Sequence, residues 1–485
     1  MAQLREKGVL DQVVHLTKVG EGGALERDLS VPIFYEVVGL LAQAAARSDA
    51  VAGAVLGAGV STSVRRLLES CGALGAPPNG ATGVMQTAQQ VSAVLGLVDR
   101  LLPALPPPAD LLRTGGVGKG LDGKGKGSAR GATAERLKLF EGSEAGARCV
   151  ADLFTALVRA HERSVFPGVQ ATCISILAKL ALIAPAALLG EVLPDAPDVA
   201  KLLTSELSSS ADPGHRVGDK PPLDAAAAGL VLIEALMRKA RPLVAKPFLK
   251  EGVVHSVAAL AARHAAAGEG GGGDEAMEDD GEDNEEGEEE DEEEDEEEEG
   301  GARTAGPGWV AAYAAQVHAE WLGPLQAAQD LQGIHGPARA LTALGQRLLA
   351  PAGRARKANA AKAKDEPTEL LRQIFATLAA PEDPVSAYQL LESGLIASLA
   401  AFLAAEGVGD DRALARHLAF LDAAEYEAGA HLPGLVAKLS EILGFLERFP
   451  VHALSGPAAG AAGASAAGVR RRWRRRPKTA PRAVE

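Results

Sequence analysis

The sequence predicts an all-α protein built as a solenoid of stacked helical repeats. Three observations lead there. Ala dominates a chain of 485 residues that is 47% hydrophobic but only 4% aromatic. Ala is the residue least costly in a helix, whereas strands favour β-branched and aromatic side chains. A glycine-centred pattern recurs along the chain, and apolar helices punctuated by Pro lie between its copies.

The pattern is a Gly followed by an aliphatic residue at +1, another at +5 and a large apolar residue at +8. It occurs as Gly8-Val9, Val13, Leu16; as Gly59-Val60, Val64, Leu67; as Gly252-Val253, Val257, Leu260; and as Gly394-Leu395, Leu399, Phe402. Positions +1, +5 and +8 share one face of a helix. Gly ends one helix in a left-handed turn and lets the next begin at once. Long apolar helices are expected at 31–46, opened by Pro32; at 168–184, with Val169, Cys173, Ile176 and Leu180 in its stripe; and at 223–237, followed by 242–249 and the Gly252 corner. Such units bury their apolar faces only by stacking. Pro-punctuated helices ended by Gly corners are the build of armadillo/HEAT-like repeats. The 51 residues from Gly8 to Gly59 slightly exceed the roughly 40–47 of that class.

Composition divides the chain further. Residues 1–267 read as repeats, interrupted at 115–134 by a flexible Gly/Lys loop. Residues 268–308 form a disordered acidic linker, 309–450 a second helical region with a basic loop near 353–364, and 451–485 a disordered basic tail. Between Asp274 and Glu299 stand 21 acidic residues and no basic ones; removing them turns the net charge of −15 into +6. The acidity is local and does not describe the folded surface. The tract reads mainly as a solubilising linker that can also touch basic partners.

Several chemistries find no complete motif. Cys71, Cys149 and Cys173 are widely spaced and read as small buried hydrophobes, without zinc or disulfide spacing. The 115–128 loop has Gly118-x4-Gly123-Lys124 and Gly120-x4-Gly125-Lys126, but each is followed by Gly where a phosphate loop needs Ser or Thr. His15, His161 and His255 lack metal-ligand partners at useful spacing, and His161-Glu162 is not part of an HExxH motif. The Arg-rich run around Trp473 could grip phosphates or serve in nuclear import. No catalytic, cofactor-binding or metal residue is therefore assigned, and no cofactor is expected. No run of about 18 apolar residues suggests a membrane span, and the charged start, Arg5-Glu6-Lys7, is unlike a signal peptide. A soluble nuclear or cytoplasmic protein is expected, with nucleic acid and membrane not expected as partners.

Several stretches resemble one family, the HECT-type E3 ubiquitin ligases of the ubiquitin-fusion-degradation and thyroid-receptor-interactor type, in their plant-like form. They are Lys7-Gly8-Val9-Leu10 with the helix after Leu29-Ser30-Val31-Pro32; VSAVLGLVDRLLPALPP at 91–107; FLKEGVVHSVA at 248–258; YQLLESGLIASL at 388–399; and LVAKLSEILGFLERFPV at 435–451. They run in the family's order. The resemblance implies an armadillo region that recruits protein substrates for ubiquitin-dependent proteasomal degradation; the acidic tract is what would let basic ones be among them. The family's catalytic lobe, with its ubiquitin-accepting Cys, lies far beyond the segment resembled here, and none of the three Cys stands in similar surroundings. The resemblance thus implies a recruiting region that is inactive alone and meets E2 and ubiquitin only through that lobe; the basic tail does not resemble the family. A nuclear transport adaptor of importin type is the alternative. Those proteins line their groove with Trp, and Trp309, Trp321 and Trp473 are expected to lie outside the helices that follow the Gly corners.

Overall fold

A computed structural model describes residues 12–13, 15, 17–18, 31–70, 88–107, 110–112, 135–140, 142–164, 166–193, 196–209, 223–269, 308–332, 336–349, 360–380, 384–404, 410–425 and 431–448. The Gly8 corner, the Gly/Lys loop, the acidic tract and the basic tail lie outside the described residues.

The described chain is helical, with no strand. In order the helices are α1 (Val31–Arg47), α2 (Asp49–Gly57), α3 (Val60–Ser70), α4 (Ala88–Leu101), α5 (Glu144–Arg163), α6 (Pro167–Ile183), α7 (Ala186–Val192), α8 (Ala196–Ser209), α9 (Leu223–Lys250), α10 (Val253–Glu269), α11 (Gly308–Val317), α12 (Gly323–Gln332), α13 (Gly336–Leu349), α14 (Ala360–Ala379), α15 (Ala387–Glu392), α16 (Leu395–Ala404), α17 (Asp410–Glu425) and α18 (His431–Arg448). A π turn, His318–Leu322, joins α11 to α12.

Local chemistry sets many of these boundaries. Ser48 and Ser143 cap α2 and α5 by accepting from Val51 N and Gly146 N, satisfying amides that a helix start leaves open. Pro167 opens α6, where its missing N–H costs nothing. Ser386 and Gln389 form a reciprocal capping box on α15. The two helices expected at 223–237 and 242–249 follow one another within α9, divided by a kink at Ala240, whose backbone is non-helical (φ −133°, ψ 25°), ahead of Pro242. Residues 360–364, expected in a basic loop, begin α14 instead; Ala and Lys are both strong helix formers.

Three of the expected corners have the predicted left-handed backbone: Gly59 (φ 78°), Gly252 (φ 84°) and Gly394 (φ 66°). Their stripes point inward, as Val60, Val64, Leu67, Val253, Val257, Leu260, Leu395 and Phe402 are buried. Gly142 (φ 67°) makes a further corner that the pattern misses, because the polar cap Ser143 stands where an aliphatic residue was required.

The helices stack in two rows. In one, α1 packs on α4, α4 on α6, α6 on α9 and α9 on α11; in the other, α3 packs on α5, α5 on α8 and α8 on α10. This is a solenoid-like arrangement. A continuous core runs from Phe34 to Leu325, and a second, from Leu341 to Ile442, is built by α13 to α18. Since Val310, Tyr313 and Val317 belong to the first core, α11 completes the array that precedes the acidic tract. The two cores meet at the Gly252 corner. Ser386 Oγ donates to Lys250 O (2.6 Å), and Lys201 pairs with Glu441 (3.6 Å). The Tyr388 ring covers Gly252 so closely that a Cβ there would come within 2.5 Å of it.

Candidate protein-binding face

Polar side chains bridge the helices of the row α1–α4–α6–α9–α11. Between α4 and α6, Lys179 Nζ donates to Asp99 Oδ1 (2.8 Å) and Asp99 O (3.1 Å), and Ser175 Oγ donates to the same Oδ1 (3.2 Å). Between α9 and α11, the Tyr313 hydroxyl donates to Glu234 Oε2 (2.5 Å) and Arg238 Nη2 to Glu234 Oε1 (2.7 Å). Glu234 and Arg238 are one turn apart, so both reach the same seam. Burial, reinforced by the Glu234 carboxylate, pushes the Tyr313 phenol up and keeps it a donor. The Arg238 guanidinium lies over the Trp321 ring, 5.6 Å from its centroid, and is one third exposed.

A groove of about 460 Å³ opens along this row. Ala171, Ala227 and Ala228 line it with small side chains, and Asp99, Ser175 and Trp309 add polar and aromatic groups. That size and mixture suit a short stretch of polypeptide. A second cavity, of about 710 Å³, lies between the Gly142 corner, the start of α5 and the α6–α7 turn. Lys239 at its edge donates to the carbonyls of Ala181, Leu182 and Ala184 and so closes the C-terminus of α6. Burial, aided by neighbouring Arg238, brings the Lys239 amine down to about 8. Its hydrogen bonds are committed to the backbone, which makes it a structural group.

The structure separates the residues that the sequence singled out. Cys149 and Cys173 are buried and unpaired in disulfides, on α5 and α6. Burial raises both thiols to about 12, with Asp152 adding to the effect at Cys149. Both are held as thiols, the unreactive form; Cys71 lies outside the described residues. His161 is buried with Nε2 3.6 Å from Glu206, and His255 lies against the Tyr388 ring. The described residues hold no group of His, Cys, Asp and Glu arranged to bind a metal, and no helix long and apolar enough to cross a membrane.

As expected, Trp309 on α11 and Trp321 in the π turn that follows it lie outside α3, α10 and α16, the helices that follow the Gly59, Gly252 and Gly394 corners, although α11 packs on α10; Trp473 lies outside the described residues. The acidic tract separates α10 from α11 in sequence and hides their partnership. The spacing of Val310, Tyr313, Ala314 and Val317, all buried, marks an apolar face on α11 in the sequence but not the helix that covers it. No protein-family model matches the chain, and no curated protein matches it.

Proposed function

We propose that the stack is of armadillo type and is the substrate-recruiting scaffold of a HECT-type E3 ubiquitin ligase. The observation that carries the scaffold reading is the repeated left-handed Gly corner followed by a buried +1/+5/+8 stripe at Gly59 and Gly252, with the partly buried Leu399 filling the +5 position at Gly394. The ligase identity rests on the ordered resemblance of the segments between Lys7 and Val451. In this reading, partner polypeptides lie along the α4–α6–α9–α11 row, across the groove at Trp309. The chain recruits, and chemistry belongs to a separate lobe. The protonated, buried thiols of Cys149 and Cys173 support that division.

The test has two arms. With E1, E2 and ubiquitin, the chain alone is expected to form no reductant-sensitive ubiquitin adduct; a Cys-dependent thioester on it would overturn the non-catalytic role. A HECT lobe fused to the chain is expected to modify proteins that the free lobe does not, and a fusion with an unaltered product set would sink the recruiting role.

A second reading, an adaptor for nuclear import, gains from Trp309, which lines the groove. Binding of a basic import peptide that Trp309→Ala abolishes would favour it over the ligase reading.

A further inference from the structure

The apolar side chains that the fold leaves open are concentrated in one place. Twelve large hydrophobic side chains are exposed among the described residues, and six lie on α17 and α18. Leu414, Leu418 and Leu421 (59, 56 and 51% exposed) repeat at i, i+4 and i+7 on α17. Val436, Leu439 and Leu443 (54, 37 and 62% exposed) repeat at i, i+3 and i+7 on α18. Each set is a single helical stripe.

Other faces of these helices already hold the fold. Phe420 packs edge-on against Phe375 with ring centroids 5.6 Å apart, Arg416 donates to Phe402 O (3.1 Å), and Ala423, Ala424, Leu435 and Ile442 are buried. Both helices are thus apolar on two faces, one of them used. A helix of that kind elsewhere in the stack has neighbours on both sides: α6 lies between α4 and α9, and α14 touches α13, α17 and α18.

The geometry points to a pairing of two copies of this chain through the α17–α18 face. Six roughly half-open aliphatic side chains leave on the order of 500 Å² of apolar surface, at the upper end for a single patch on a monomer. Two such faces laid together remove on the order of 1,000 Å² from water, the scale at which specific interfaces begin. The face is itself a pair of adjoining helices, so a two-fold axis sets helix pair on helix pair and continues the packing used inside the molecule. A two-fold contact also brings each charge near its own copy. Here Arg372 holds Asp422 (2.9 Å) and Lys438 holds Glu441 (2.9 Å), so flanking charges are compensated within each copy.

Sedimentation of the full chain over a wide concentration range tests the pairing. Wild type is expected to pass from monomer to dimer as concentration rises. Leu418→Glu and Leu439→Glu are each expected to weaken the dimer at least tenfold while circular dichroism and Tm stay as in wild type. The uncharged Leu418→Gln should act in the same direction and guards against a folding defect. Leu349→Glu, at an isolated exposed position, should leave the dimer intact. A chain monomeric throughout, or a dimer indifferent to Leu418→Glu and Leu439→Glu, overturns the proposal. So do open-ended oligomers broken by Leu40→Glu on α1, which would mean end-to-end stacking.

Discussion

At the scale of single residues, Glu251 combines burial with charge. It is 5% exposed at the α9–α10 corner, and its Oε2 has no hydrogen-bond partner. Burial pushes its carboxyl from 4.5 up to about 7, with Lys201 opposing the shift and Glu441 on α18 reinforcing it. The folded chain therefore binds this proton more tightly than the unfolded chain does. The stabilisation is complete below about pH 4.5, fades as pH rises toward 7 and is absent above it. At 1.36 kcal/mol per pK unit the effect is roughly 3 kcal/mol. Glu251→Gln is expected to raise Tm at pH 8 and to flatten its fall between pH 5 and 8. A variant whose Tm declines as steeply as that of wild type would place the dependence on another group.

At the scale of elements, one side chain closes two helices. Arg136 is buried, and its Nη2 donates to Ala45 O (2.8 Å) near the end of α1. Its Nη1 donates to Arg100 O and Leu101 O at the end of α4, and its Nε to Asp49 at the start of α2. A cation suits these positions because carbonyls at a helix C-terminus lack partners and carry partial negative charge. Lys239 does the same for α6. Arg136→Met keeps the aliphatic stem and removes the donors, leaving Asp49 without its partner. It should cost on the order of 3 kcal/mol. Hydrogen exchange should quicken first in the last turns of α1 and α4; unchanged protection there would deny Arg136 its closing role.

At the scale of the whole molecule, the acidic tract interrupts a packed unit rather than separating two. Trp309, Val310, Tyr313 and Val317 follow the tract but pack with α9 and α10, which precede it. Loop-closure entropy changes slowly with length, by about 0.6 kcal/mol per doubling. Replacing residues 274–299 with a shorter Gly/Ser segment is therefore expected to leave helical content unchanged and Tm nearly so. Loss of a cooperative melt in that variant would show that the tract contributes to holding α11 in place.

Much of the architecture was legible in the residues. Spacing of apolar side chains fixes a helical face, and a left-handed turn selects Gly, so Gly59, Gly252 and Gly394 and their stripes could be read directly. Gly142 could not, because a capping Ser replaced the aliphatic residue that marks the other corners. The candidate face was mostly illegible: Asp99 with Lys179 and Glu234 with Tyr313 lie 80 and 79 residues apart. Periodicity tells which side of a helix is apolar, but it does not tell which helix will cover that side. Sequence alone thus determined the helical class, the corners and the inward stripes, all of which depend on neighbours within a few turns. Only the tertiary structure decided that α11 belongs with α10, that Glu251 loses its water and that the leucines of α17 and α18 keep theirs, because packing partners distant in the chain settle each of these.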